Sequence, residues 1–199
     1  MAETTFKLIK CRLQCQFSSQ IYVMDIGHEY LKTAIKRLAY YRELGEKTFE
    51  QLDENDFHFQ PNEYSNSIAV IIQHMNGNML SRWTNFLTED GEKSWRNRDV
   101  EFESQRQNKA VLIKLWNDGW DCVLDAWSNL ESGDLQKTIY IRHEPLLIVD
   151  AINRQLAHYP HHVGQILYIG KMIKGAEWKS LSIEKGKSDA FNAEMKKAR

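Results

Sequence analysis

Residues 146–173 form the longest stretch of this sequence in which apolar residues recur at helical spacing, and this pattern predicts one long helix. Such a helix has to bury its apolar stripe against neighbouring elements. Within it, His158 and His162 are four residues apart, so both imidazoles lie on one face, offset by only about 40°. Metalloprotease helices hold zinc with this spacing. The stretch therefore predicts a buried helix that carries half of a metal site.

Three further amphipathic segments predict an all-α fold, because four long apolar stripes can bury one another in a four-helix bundle. Their starts carry helix signals: Asp25 suits an N-cap, Ser65 or Ser67 caps the second helix, and a capping-box pattern at 104–107 opens the third. Pro145 suits the first turn of the last helix, and Gly175 suits its end. The predicted helices span 25–52, 67–88, 105–130 and 145–174.

Two connecting segments are also predicted to have structure. The polar, charged stretch 89–103 is long enough to be a crossover loop, and loops of this length tend to be functional or mobile. Thr138–Ile141 has strand character, so a short β-hairpin is expected before the last helix. Pro160 lies deep inside that helix and predicts a kink, because it removes a backbone hydrogen bond.

The third metal ligand is predicted to be His74, in the middle of the second apolar helix. Three histidines on two packed helices leave coordination positions open, as in catalytic zinc sites. Two alternatives stand beside this prediction. A single histidine on an apolar face is more often a core residue bonded to a carbonyl, and His161 could take the place of His162 if Pro160 distorts the turn.

Several motifs resemble a known group of bundle proteins. A mid-helix histidine followed much later by His-x-x-x-His-x-Gly-Gln at 158–165 resembles the DinB/YfiT-like superfamily, over about residues 25–178. The stretches 73–83, 141–145 and 178–188 are similar to one mainly bacillary branch of it. The resemblance implies a DinB-like four-helix bundle with a three-histidine metal site, commonly assembled as a homodimer.

Carried over residue by residue, the resemblance implies that His74, His158 and His162 are the ligands of a divalent ion, with zinc or nickel the expected metals. The sequence departs from the pattern twice: Val163 stands where many relatives have arginine, and Pro160 lies between two ligands.

The resemblance further implies a transferase that acts with a low-molecular-weight thiol. A metal-dependent hydrolase and a non-catalytic, metal-binding dimeric stress protein are the alternatives. Some polar side chains lie near the histidine faces by spacing, and they are expected to contact substrate or to hold the ligand imidazoles. These are Asn78, Arg82, Arg154 and Gln165.

Length and composition narrow the remaining choices. A chain of 199 residues is expected to form a single domain, here 24–199, with residues 1–23 as a leader or extension. The net charge of −1 argues against nucleic acid or an anionic membrane as a partner. Three cysteines are too few for a disulfide scaffold and favour a reducing cytoplasm. Cys11 and Cys15 form only a weak metal-binding pattern.

Overall fold

The computed structural model describes residues 25–197 and is a helical bundle with one small hairpin. The predicted all-α class and the predicted hairpin are both confirmed, whereas residues 1–23, the predicted leader, lie outside the described residues. The helices are α1 (Ile26–Phe49), α2 (Ile68–Trp83), α3 (Lys109–Ser128), α4 (Ile148–Lys174) and α5 (Ser188–Lys197). The antiparallel strands are β1 (Thr138–Ile141) and β2 (Glu144–Leu147).

Side-chain caps set the starts of the first three helices. Asp25, Ser67 and Asn108 each accept a hydrogen bond from the backbone N–H three residues further along, which satisfies one of the unpaired donors of a first turn. The predicted capping box at 104–107 was wrong, because α3 starts four residues later, behind Asn108.

The start of α4 also differs from the prediction. Pro145 lies opposite Tyr140 in the hairpin, not in a first helical turn, and α4 begins only after Leu147. A two-stranded ribbon tolerates proline where its missing N–H faces no partner. From there α4 runs as one helix through Pro160 and ends at Gly175, whose φ of +51° is readily adopted by glycine.

The long loop after α2 is a crossover, as predicted. The Asn76 side chain donates to the Leu115 carbonyl at 2.8 Å, and Thr84 meets Cys122 at 3.7 Å, so successive positions of α2 and α3 pair in the same order. The two helices therefore run parallel, and the connecting loop has to return along the whole of α2. The other extensive helix packing joins α1 to α4.

One hydrophobic core lies between the four long helices and is rich in aromatic side chains. The tryptophans of α2 and α3 are buried in it. The fully or nearly fully buried tryptophans are Trp83, Trp116, Trp120 and Trp127.

Among the helices of residues 25–197, none combines the length and the apolar content that a membrane span requires.

Close packing of α1 on α3 predicts a clear stability effect. A Cβ atom on Gly45 would lie 2.3 Å from the Trp116 ring, so Gly45→Ala should lower the free energy of unfolding by about 1–3 kcal/mol through overpacking. Gly164→Ala is the matched control, because no atom lies within 4 Å of its added Cβ. That variant should gain about 0.5–1 kcal/mol. Denaturant unfolding measures both, and equal stability of the two variants would contradict the packing.

Candidate metal centre

Two helices bring three histidines together. His74 lies on the buried face of α2 and is 5% exposed, while His158 and His162 lie one turn apart on α4 and are half-buried. Because α4 is continuous through Pro160, the same-face relationship expected from their spacing is preserved. One nitrogen from each ring can be chosen so that all three lie within 4.8 Å of one another. The three histidines therefore form a cluster that could hold a metal ion.

His161 is not part of this cluster. It is exposed on α4, and its Nε2 atom lies 3.2 Å from the side-chain nitrogen of Gln165. Adjacent helical residues point about 100° apart, which explains why His161 turns away while His162 faces His74.

Each clustered histidine has an oxygen atom at its Nδ1 position. His74 Nδ1 lies 3.0 Å from Glu101 Oε2, and the Nδ1 atoms of His158 and His162 lie 3.2 and 2.9 Å from the side-chain oxygens of Gln155 and Gln165. Oxygen acceptors require a proton on Nδ1 and leave the Nε2 lone pair free. Partners of this kind orient the histidine ligands of metal sites.

This arrangement makes one short contact significant. The Nε2 atoms of His158 and His162 lie 3.0 Å apart, and with both protons on Nδ1 these atoms face each other as two lone pairs. Two acceptors at this distance repel each other unless a cation or a proton lies between them. Tetrahedral zinc with Zn–N bonds of 2.0–2.1 Å would separate two ligand nitrogens by about 3.3 Å. The observed spacing fits a shared ion.

The protonation of these rings also favours ligation. Burial lowers the pKa of His158 to about 3, and the neighbouring histidines and Arg154 act in the same direction. Burial also lowers the pKa of His162, against the opposing hydrogen bond with Gln165. Both rings are therefore neutral near pH 7, the form in which imidazole binds a metal.

Glu101, whose carboxylate contacts the His74 ring, lies in the crossover loop. From the sequence, this residue was not predicted to be part of the site. Arg96 donates to both of its oxygens, at 2.7 and 2.9 Å, and the Arg96 side chain is only 1% exposed. Burial raises the pKa of Glu101, but the hydrogen bonds and charges of Arg96 and His74 outweigh it, so the net pKa is lowered. Gly77 of α2 permits this approach, because a Cβ there would lie 2.1 Å from the carboxylate.

The four polar residues predicted to lie near the histidine faces are found in two different places. Asn78, Arg82 and Arg154 line a cavity of about 330 Å³ together with His74, whereas Gln165 bonds the ring of His162. Asn78 accepts a hydrogen bond from the buried Tyr159 hydroxyl at 3.2 Å, and Arg82 donates to the Gly91 carbonyl and to Glu92. Three more arginines of this cavity were not predicted: Arg96, Arg98 and Arg142.

A wider cleft of about 860 Å³ lies next to the cluster, on the side of Gln165 and His161. Tyr64 and Tyr168 line it and are largely exposed, at 90% and 71%. His74 and His158 therefore line the arginine-rich cavity, whereas the larger cleft adjoins the cluster through Gln165, which bonds the His162 ring.

Comparison with known proteins places this site in a family. The model of the family described as "Protein of unknown function (DUF1572)" matches residues 25–187, which is most of the chain and includes all three histidines. The chain belongs to the DUF1572 family. No curated protein matches it significantly. The DUF1572 match runs from the N-cap of α1 to the residue before α5, so it covers α1 to α4 and the hairpin.

Proposed function

We propose that this DUF1572 protein is a metal-dependent enzyme in which His74, His158 and His162 hold a divalent ion, zinc or nickel. The observation that carries the proposal is the 3.0 Å approach of two Nε2 atoms whose rings both present Nδ1 to an oxygen. Three neutral ligands leave the full positive charge on the ion and leave positions open, as in catalytic sites. A bound ion supplies Lewis acidity, which lowers the pKa of a water molecule or a thiol.

The proposed reaction is transfer to a low-molecular-weight thiol. The sulfur forms a bond to an electrophilic carbon, the leaving group departs with the electron pair of the broken bond, and the thiol proton is released to it or to solvent. The resemblance of the His-x-x-x-His-x-Gly-Gln motif to the DinB/YfiT-like superfamily supports the thiol. The buried Glu101–Arg96 pair keeps the His74 ring oriented. A homodimer and a reducing cytoplasm stay predictions from the sequence.

A turnover screen tests the proposal. Protein stripped with a chelator and reloaded with zinc or nickel should consume a small thiol, such as glutathione or cysteine, in the presence of a chromogenic electrophile. The stripped protein should not, because the thiol then keeps its ordinary pKa. Loss of free thiol and appearance of the adduct are measured together.

The same screen separates the alternatives. Metal-dependent cleavage of an ester without added thiol would identify a hydrolase, and stoichiometric metal without any turnover would identify a non-catalytic metal-binding protein. If the reloaded protein retains no metal after dialysis, the metal centre itself is wrong.

A further inference from the structure

We infer that the arginine-lined cavity beside the three histidines binds a doubly charged anionic group, a phosphate or a dicarboxylate, carried by the substrate. The inference rests on the proposed function, since it names the substrate class of the same site. The cavity has a volume of about 330 Å³ and is shared by His74 and His158. A small anion bound there would lie directly beside the reacting centre.

The charge balance of the cavity points to an anion. Five guanidinium groups line it, whereas the carboxylates that contact these arginines are three: Glu92, Glu101 and Asp90. An excess of two positive charges remains, although the whole chain carries a net charge of −1. Like charges held together in a partly enclosed cavity repel one another, and an anionic ligand relieves that repulsion. The five arginines are Arg82, Arg96, Arg98, Arg142 and Arg154.

One buried donor in the cavity wall has no acceptor. The side chain of Arg96 is 1% exposed, and its Nη1 atom has no hydrogen-bond partner among the described residues. A buried guanidinium N–H without an acceptor is costly. Since Nε and Nη2 are bound to Glu101, Nη1 is the one nitrogen of this guanidinium group without an acceptor among the described residues. A carboxylate or phosphate supplies oxygens with the geometry that guanidinium groups prefer.

Two further arginines are available without breaking an ion pair. Within residues 25–197, neither Arg98 nor Arg154 forms a salt bridge. Arg98 lies over the Phe102 ring at 4.9 Å, a contact that orients the guanidinium and leaves its N–H donors free. Arg154 precedes His158 by four residues on α4, so the two side chains lie on the same face.

Arg142, another arginine of the cavity, is positioned by an unusual turn. Arg142 and His143 connect β1 to β2 with φ angles of +56° and +63°, a left-handed conformation normally supplied by Asn-Gly or Gly-Gly. The Asp90 carboxylate holds this turn by accepting from both backbone N–H groups, at 2.9 and 2.7 Å. Backbone strain of this kind persists where the surroundings impose it, and it clusters at functional sites. Here it places Arg142 at the cavity.

Calorimetric titration at constant ionic strength tests the inference, with inorganic phosphate, succinate and acetate as probes. Phosphate or succinate should bind wild-type protein at least about tenfold more tightly than acetate, because only a dianion balances the excess charge. Tighter binding of phosphate would indicate a phosphate-bearing substrate, and tighter binding of succinate a dicarboxylate. Absence of binding by both dianions overturns the inference.

Arginine variants show whether the cavity is the binding site. Arg98→Gln and Arg154→Gln should each weaken dianion binding by about tenfold, since each removes a charge-assisted contact. Arg37→Gln is the matched control, because Arg37 is exposed on α1 and does not line the cavity. Unchanged binding by the double variant Arg98→Gln/Arg154→Gln would contradict the site.

Failure of this inference can be told apart from failure of the metal centre. Chelator-stripped wild-type protein should lose its metal and still bind the dianion, since the arginines of the cavity remain. If the protein binds dianions but never metal, the anion site is supported and the proposed metal centre is wrong. If the protein binds metal and turns over thiol but binds no dianion, only the anion site is wrong.

Discussion

Replacing His74 with alanine is expected to abolish stoichiometric binding of the divalent ion. His74 is the only proposed ligand on α2 among the described residues, and its removal leaves two proposed ligands from a single turn of α4. The loss of affinity should exceed the roughly 10–100-fold that follows removal of an outer partner of a ligand. His158→Ala and His162→Ala should have the same effect. Elemental analysis after dialysis against metal-free buffer measures the occupancy.

His161→Ala provides the matched control for this series. It removes an imidazole from the same helical turn, but that ring is exposed and faces Gln165 instead of the cluster. The variant should therefore keep wild-type metal content. Circular dichroism verifies that each variant is folded before its metal content is compared. Full occupancy in His74→Ala would show that the three-histidine centre, and the function proposed from it, is wrong.

Replacing Glu101 with alanine is expected to produce the second large effect, on stability and on metal binding together. The side chain of Arg96 is almost completely buried and would lose the carboxylate that pairs with it. An uncompensated buried charge costs about 3–5 kcal/mol of the free energy of unfolding. The His74 ring would also lose its acceptor at 3.0 Å, so metal affinity should fall about 10–100-fold. Chemical denaturation of metal-free protein and metal titration measure the two effects separately.

Two further variants of the loop sharpen this test. Glu101→Gln keeps the shape and one acceptor oxygen but removes the charge, so its effects should be smaller than those of the alanine variant. Glu103→Gln makes the same change two residues away at an exposed position and should leave both stability and metal binding unchanged. If Glu101→Ala and Glu103→Gln behaved alike, the buried pair would not be supporting the site.

Local patterns in the sequence were enough to predict the helices and the histidine cluster. Helical periodicity depends on residues three or four positions apart, so the four long helices were located with errors of a few residues. The largest error was at α2, predicted to continue to residue 88 but ending at Trp83, because Thr84 is extended and Asn85 has a φ of +49°. The positions of His158 and His162 on one face followed from the same periodicity.

Residues brought to the site by long-range packing could not be predicted in this way. Glu101 and Arg96 lie in a charged loop without periodicity, and nothing local distinguishes them from their solvated neighbours. Gly77 carried the only related signal, since a glycine inside a helix often marks a close approach. The partner that approaches, 24 residues further along the chain, is specified only when the loop folds back over α2.

The sequence alone was enough to predict three candidate metal ligands and the helix faces on which they lie, because both predictions depend on side-chain chemistry and on the pitch of a helix. Only the tertiary structure decided how these groups act together. The crossover loop brings Glu101 to His74, and the hairpin brings Arg142 into the cavity beside it. These contacts join distant segments, and the packing of the whole bundle, not any local preference, determines the charge around the three histidines.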